Sequence, residues 1–202
     1  MNLLTHLDAL EDALQDNLRW ALFYHYPRGK ALLLVQAEEN WAAPLKQFPS
    51  VKEDLMAGLD CYALGHNMGC VFYFMRVAEF GLRIVAAERQ ISSVRSRTPV
   101  DRGTWGQVIE AIEKKAEAIL QAKAGPEKDA ALKFYNSVIA DLWALLEVYR
   151  NDTSHLRGSY DEGAAQSGAA QSAMFRVKEL MMMLSGKLDE GVTAEIDWGL
   201  TF

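Results

Sequence analysis

The sequence predicts an all-α protein, a single up-and-down bundle of five to seven helices, and three observations carry that prediction. The 202 residues include 27 Ala and 25 Leu against 12 Val, 7 Ile and 6 Thr, an excess of unbranched helix formers over β-branched residues. Apolar residues recur at spacings of three and four along several segments, the period of a helix face. All five prolines, at 27, 44, 49, 99 and 126, stand in the first 126 residues and cut the chain into pieces of helix length. One domain is expected, with a helical extension over 1–50, the bundle over 51–185 and a tail over 186–202.

Taken in order, Leu3, Leu7, Leu10, Leu14 and Leu18 make the apolar stripe of an amphipathic helix expected to run to about Phe23. A shorter helix is expected around 30–41, followed by the proline-bounded stretch WAAPLKQFPS. The next helix should start near Val51, with Ser50 as N-cap and Glu53 as its capping-box partner. Residues 66–89 are apolar almost all round, with Arg76, Glu79 and Arg83 the only charges before Glu88. This helix and the one over 127–149 have the widest apolar faces and are expected as the central pair.

Residues 90–104 read as a loop, and the four arginines from Arg89 to Arg102, against Asp101, make it the one basic segment. Helical pattern resumes from Trp105 to about Ala122 and pauses at AGPE. It continues as a long helix with Tyr135, Val138, Leu142, Leu145 and Tyr149 on one face. The polar stretch RNDTSHLRGSYDEG should interrupt it before a last helix from about Asp161 to Ser185. The small first half of that helix, GAAQSGAAQSA, suits close approach of another backbone. Met181, Met182 and Met183 near its end read as core or interface filling.

Composition narrows the function classes. A net charge of −6 and a pI near 5.3 oppose indiscriminate nucleic-acid binding over the whole surface, so any polyanion site must be local. Acids interrupt the first twelve residues, and no run approaches 18 uninterrupted apolar residues, so a cytoplasmic protein without a membrane span is expected. Cys61, His66 and Cys70 show only three candidate ligands beside Gly65 and Gly69, a pattern that suits helix packing better than zinc. No metal or other cofactor is expected.

The most informative stretch gathers Arg150, Asn151, Asp152, Ser154, His155, Arg157 and Tyr160 just after a strongly apolar helix. Such donors suit a phosphate, and they equally suit a polar turn in which Arg150 satisfies helix C-terminal carbonyls. On a continuous helix residues five apart are about 140° out of phase, so Arg150 and His155 would meet at one ligand only if the Asn-Asp-Thr-Ser stretch bends the backbone. Arg19 and His25 have a similar spacing, but RWALFYH reads as an amphipathic segment explained by core packing.

The motif Arg150-Asn151-x3-His155, with CYALGHNMGCVFYFMRVAEFGLR upstream and HLRGSYDEGAAQS downstream, resembles the HEPN family of small helical domains, and in particular an uncharacterised bacterial HEPN-like group. The likeness runs from about Asp60 to Leu184. It implies a HEPN-like bundle and a homodimeric, metal-independent endoribonuclease in which two copies bring their Arg-x4–6-His motifs together. Other members only bind nucleotides or RNA, or act as interaction modules. The resemblance also implies a toxin–antitoxin or defence setting, with an antitoxin protein as a possible partner. One branch of the family carries a Tyr two residues after the His; here Arg157 holds that place and Tyr160 is the nearest, so that branch's tyrosine modification is not carried over.

The chemistry is intelligible from the side chains. Cleaving RNA without a metal needs a base for the 2′-hydroxyl, a cation for the phosphorane and an acid for the leaving oxygen, and His155 with Arg150 supply these near neutral pH. Asn151 can orient the His or the phosphate. Arg76, Glu79 and Arg83 either reach the site and hold Arg150 or form an ion-pair network that fixes helix register. The last helix or residues 150–160 are the expected two-fold interface.

Overall fold

A computed structural model describes residues 3–19, 21, 24–155 and 163–201, and the side chains of all these except 96, 148–155 and 163–167. Nine α-helices follow in order among them: α1 (Leu3–Leu18), α2 (Arg28–Val35), α3 (Ala37–Asn40), α4 (Ala42–Gln47), α5 (Lys52–Leu64), α6 (Asn67–Glu88), α7 (Trp105–Ala116), α8 (Pro126–His155) and α9 (Gly163–Ser185). The only β pairing among the described residues is a single antiparallel bridge between Ser93 and Pro99. The protein is therefore all-α. The count exceeds five to seven because the stretch before α5 winds into three short pieces, hinged at Gln36 and Trp41 and held by the buried side chains of Ala37, Trp41 and Phe48. Seven of the nine helices have eight residues or more.

α6 is the central helix. Its residues from Cys70 to Glu88 include twelve that are buried, which few solvent-facing helices allow. It packs chiefly against α5 and α9, not against α8 as the apolar patterns implied, while α8 packs mainly against α7 and α9. Small residues decide this. A Cβ at Gly81 would stand 3.0 Å from Leu184 Cδ1, and Cys70 Sγ lies 3.9 Å from the Ala170 carbonyl, so α6 and α9 approach closely where their side chains are short. On the other side, a Cβ at Gly58 of α5 would stand 2.9 Å from the Phe74 ring.

Several local expectations are corrected. Ser50 does not cap α5; it lies in a 3-10 turn, Pro49–Val51, and its amide donates to Glu190 at 3.0 Å, while α5 starts at Lys52 without a side-chain cap. A capping box does form at α7, where Thr104 and Gln107 exchange hydrogen bonds at 3.5 and 3.1 Å. α1 ends at Leu18 and buries no residue: its leucine stripe stays in solvent, from Leu3 at 73% to Leu18 at 49% exposure. Trp20, Leu22 and Phe23, on which core packing of this segment would rest, lie outside the described residues, while Tyr24 and His25 are exposed.

The tail, which sequence pattern left unassigned, is a strap. Glu190 holds Ser50, the Ile196 amide donates to Glu88 at 2.9 Å, and the Thr201 carbonyl accepts from the Lys123 amide at 2.6 Å. Trp198 packs its ring 5.6 Å from that of Phe134. Among the described residues no helix is long and apolar enough to cross a membrane.

Candidate functional site

α8 runs through His155, past the point where the polar stretch was expected to end it. Asn151, Asp152, Thr153 and Ser154 favour caps and turns over helix interiors, yet they are wound into the last turns. Without a bend, Arg150 and His155 sit about 140° apart around the axis and about 7.5 Å apart along it. The side chains of Arg150, Asn151, Asp152, Ser154 and His155 lie outside the described residues, as do Arg157 and Tyr160 altogether.

Arg76, Glu79 and Arg83 share one face of α6, and each has a partner. Arg76 is 3.0 Å from Asp54 on α5, with its guanidinium 5.9 Å from the centre of the Phe72 ring. Arg83 pairs with Glu79 at 2.9 Å and donates to the carbonyls of Val100 and of Gly103, the latter at 3.3 Å. Arg83 thus pins the 3-10 turn Val100–Arg102 to α6, and Arg76 ties α5 to α6. A cavity of about 350 Å³ opens beside Asp54, Arg76, Glu79 and Arg83. A second, of about 250 Å³, has Phe72, Met75 and Trp105 as walls and shares Arg76 and Glu79 with the first.

Trp105 opens α7, and the next residue faces α8. A Cβ at Gly106 would stand 3.8 Å from Trp143 and 3.9 Å from Leu146, one turn before Arg150. The first turn of α7 therefore lies between the charged face of α6 and the C-terminal part of α8.

The basic loop is less free than its composition suggested. Arg89 is buried at 6% exposure, and Arg95 pairs with Glu110 at 2.7 Å, which leaves Arg97 and Arg102 exposed without a carboxylate partner among the described residues.

Arg89 belongs to a network that sequence reasoning missed. Glu88 is fully buried and accepts from Tyr135 Oη and the Ile196 amide, each at 2.9 Å. Arg89 donates to Tyr135 Oη at 3.1 Å and lies 3.4 Å from Glu195. Burial raises the Glu88 carboxyl above its ordinary value even though Ile196, Tyr135 and Arg89 oppose the shift, and burial pushes Tyr135 up to about 12. Two buried atoms, Glu88 Oε2 and Arg89 Nε, have no hydrogen-bond partner among the described residues. The one sequence signal was an ion pair of neighbours closing an otherwise apolar helix.

No three His, Cys, Asp or Glu side chains among the described residues are grouped as for a metal ion. Cys61 Sγ lies 2.8 Å from where a Gly69 Cβ would stand, so Gly69 serves the close packing of α5 and α6. Burial pushes the Cys70 thiol up to about 12. Compared with known protein families, curated proteins and solved structures, the chain has no match.

Proposed function

We propose that the protein is a HEPN-type, metal-independent endoribonuclease that works as a homodimer, in a toxin–antitoxin or defence role and in the cytoplasm. The observation that carries this reading is the Arg150-Asn151-x3-His155 motif at the end of α8, a helix of 30 residues. Since a straight helix turns Arg150 and His155 apart, the site is composite: Arg150 of one copy and His155 of the second copy act on the same phosphate.

His155 takes the proton of the ribose 2′-hydroxyl. The 2′-oxygen then attacks phosphorus, Arg150 holds the added negative charge, and the bond to the 5′-oxygen breaks as that oxygen takes up the proton that His155 holds. The products are a 2′,3′-cyclic phosphate and a 5′-hydroxyl. Asn151, Ser154, Arg157 and Tyr160 supply phosphate contacts, and Asp152 offsets the arginines that two-fold symmetry brings together.

The test is cleavage of a mixed-sequence RNA by the wild type, His155→Ala and Arg150→Ala, with the product ends identified. Each substitution should lower the rate by about 10²–10⁴. Cleavage should persist in EDTA; equal cleavage by all three proteins would overturn the reading.

A second reading, a nucleotide- or RNA-binding or interaction module without turnover, is favoured by the engagement of Arg89 and Arg95 within the protein. Two arginines held internally leave less charge to attract RNA. Absence of cleavage by the wild type, with nucleotide binding lost in Arg150→Ala, selects it.

A further inference from the structure

A cavity of about 490 Å³ lies between α2, α3, α5 and α9. That volume falls in the range of about 300–1,000 Å³ usual for small-molecule sites. Its apolar walls are Leu33, Trp41, Leu59, Met174 and Phe175. Trp41 is fixed, 3% exposed and stacked on Phe74 at 5.8 Å, whereas Phe175 at the rim is 62% exposed. Asn40, Gln171, Ser172 and Lys178 add polar groups, and no side-chain hydrogen bond among the described residues engages any of the four.

The charge of this cavity runs against that of the protein. The chain carries a net −6, yet among the described residues no carboxylate lines the cavity and the one charged residue is Lys178. Lys178 Nζ stands 6.0 Å from the centre of the Trp41 ring and has no carboxylate partner among the described residues. A half-buried ammonium over an indole, facing an apolar chamber, is a counter-ion for an anionic head. At Gly168 a Cβ would meet nothing within 4 Å, so the wall is open there.

We infer that this cavity binds a small amphipathic anion, an apolar body of one or two rings carrying a single negatively charged head that pairs with Lys178. The body packs on Trp41 and Met174, and the amides of Asn40 and Gln171 are placed to fix its orientation. The inference uses no residue of the Arg150-Asn151-x3-His155 motif, so it stands or falls independently of the nuclease reading.

Calorimetric titration of the full-length protein with 2-naphthylacetate, and with its neutral amide as the uncharged twin, tests it. The acid should saturate one site and bind at least about tenfold more tightly than the amide. Lys178→Met should bring the acid down to the amide's affinity and leave the amide unchanged. Gly168→Phe, built into open space on a helix, should abolish both with an unaltered circular dichroism spectrum. Leu7→Asp/Leu14→Asp should leave binding intact. The inference is overturned if the wild type shows no saturable binding, if acid and amide bind equally, if Lys178→Met binds like the wild type, or if binding is lost with the α1 leucines instead.

Discussion

Tyr135 on α8 donates its hydroxyl proton to Glu88 at the end of α6, at 2.9 Å, and the same oxygen accepts from Arg89 at 3.1 Å and Trp198 at 3.4 Å. One phenol thereby joins two helices and the C-terminal strap. Tyr135→Phe keeps the ring and removes that junction, leaving the fully buried carboxylate with the Ile196 amide as its one hydrogen-bond donor among the described residues, beside Arg89 at 3.6 Å. A loss of about 1–3 kcal/mol is expected, lowering the thermal midpoint by several degrees in a chain of this size. An unchanged midpoint would show that the junction does not hold the strap.

The same carboxylate gives stability a pH dependence. The folded protein holds the Glu88 proton more tightly than the unfolded chain does, because burial raises its value. The contribution of Glu88 is therefore complete below the ordinary value of 4.5 and is lost as pH rises through the raised one. Glu88→Gln removes this component, so urea midpoints compared at about pH 5 and pH 7 should fall less steeply with rising pH in the variant. Parallel slopes would contradict the assignment.

Two glycines on helices should respond in opposite directions to alanine. At Gly58 the new methyl would press on the buried Phe74 ring, and overpacking of about 1–3 kcal/mol should outweigh a helix-propensity gain of up to about 1 kcal/mol. Gly168 faces open space, so the same substitution should raise stability by about 0.5–1 kcal/mol. Chemical denaturation of the pair separates the two effects.

The pattern of success in reading this chain has physical causes. Helix identity was legible because it is local: the stripe from Leu3 to Leu18 and the face from Tyr135 to Leu145 each repeat with the helical period. Partner choice was not. That α6 pairs with α9 depends on Gly81 meeting Leu184, and the lock at Glu88 depends on Ile196, contacts about a hundred residues apart that leave no periodic trace. The Ser50 cap failed because Ser50 is wound into the 3-10 turn before α5, and Glu190 takes the amide that Glu53 would have held. The expected break after Tyr149 failed because helix propensity is a weak local preference, too small to stop α8 before His155. Within the candidate site, the charges on α6 were visible in sequence, but that Arg83 would be spent on the Val100 and Gly103 carbonyls was not.

The leucine stripe of α1 supplies no folding energy to the rest of the chain, since α1 buries nothing. Leu7→Asp/Leu14→Asp should leave the thermal midpoint of the bundle within the range of surface changes, about ±0.5 kcal/mol. A larger drop would mean that the stripe is covered in solution.

Mixing Arg150→Ala protein with His155→Ala protein tests the composite site most directly. If Arg150 of one copy works with His155 of the other, two inactive parents should exchange subunits and recover roughly a quarter of wild-type RNA cleavage, since half the dimers are mixed and each has one intact site of two. No recovery after verified subunit exchange between two folded variants, beside an active wild type, would contradict it.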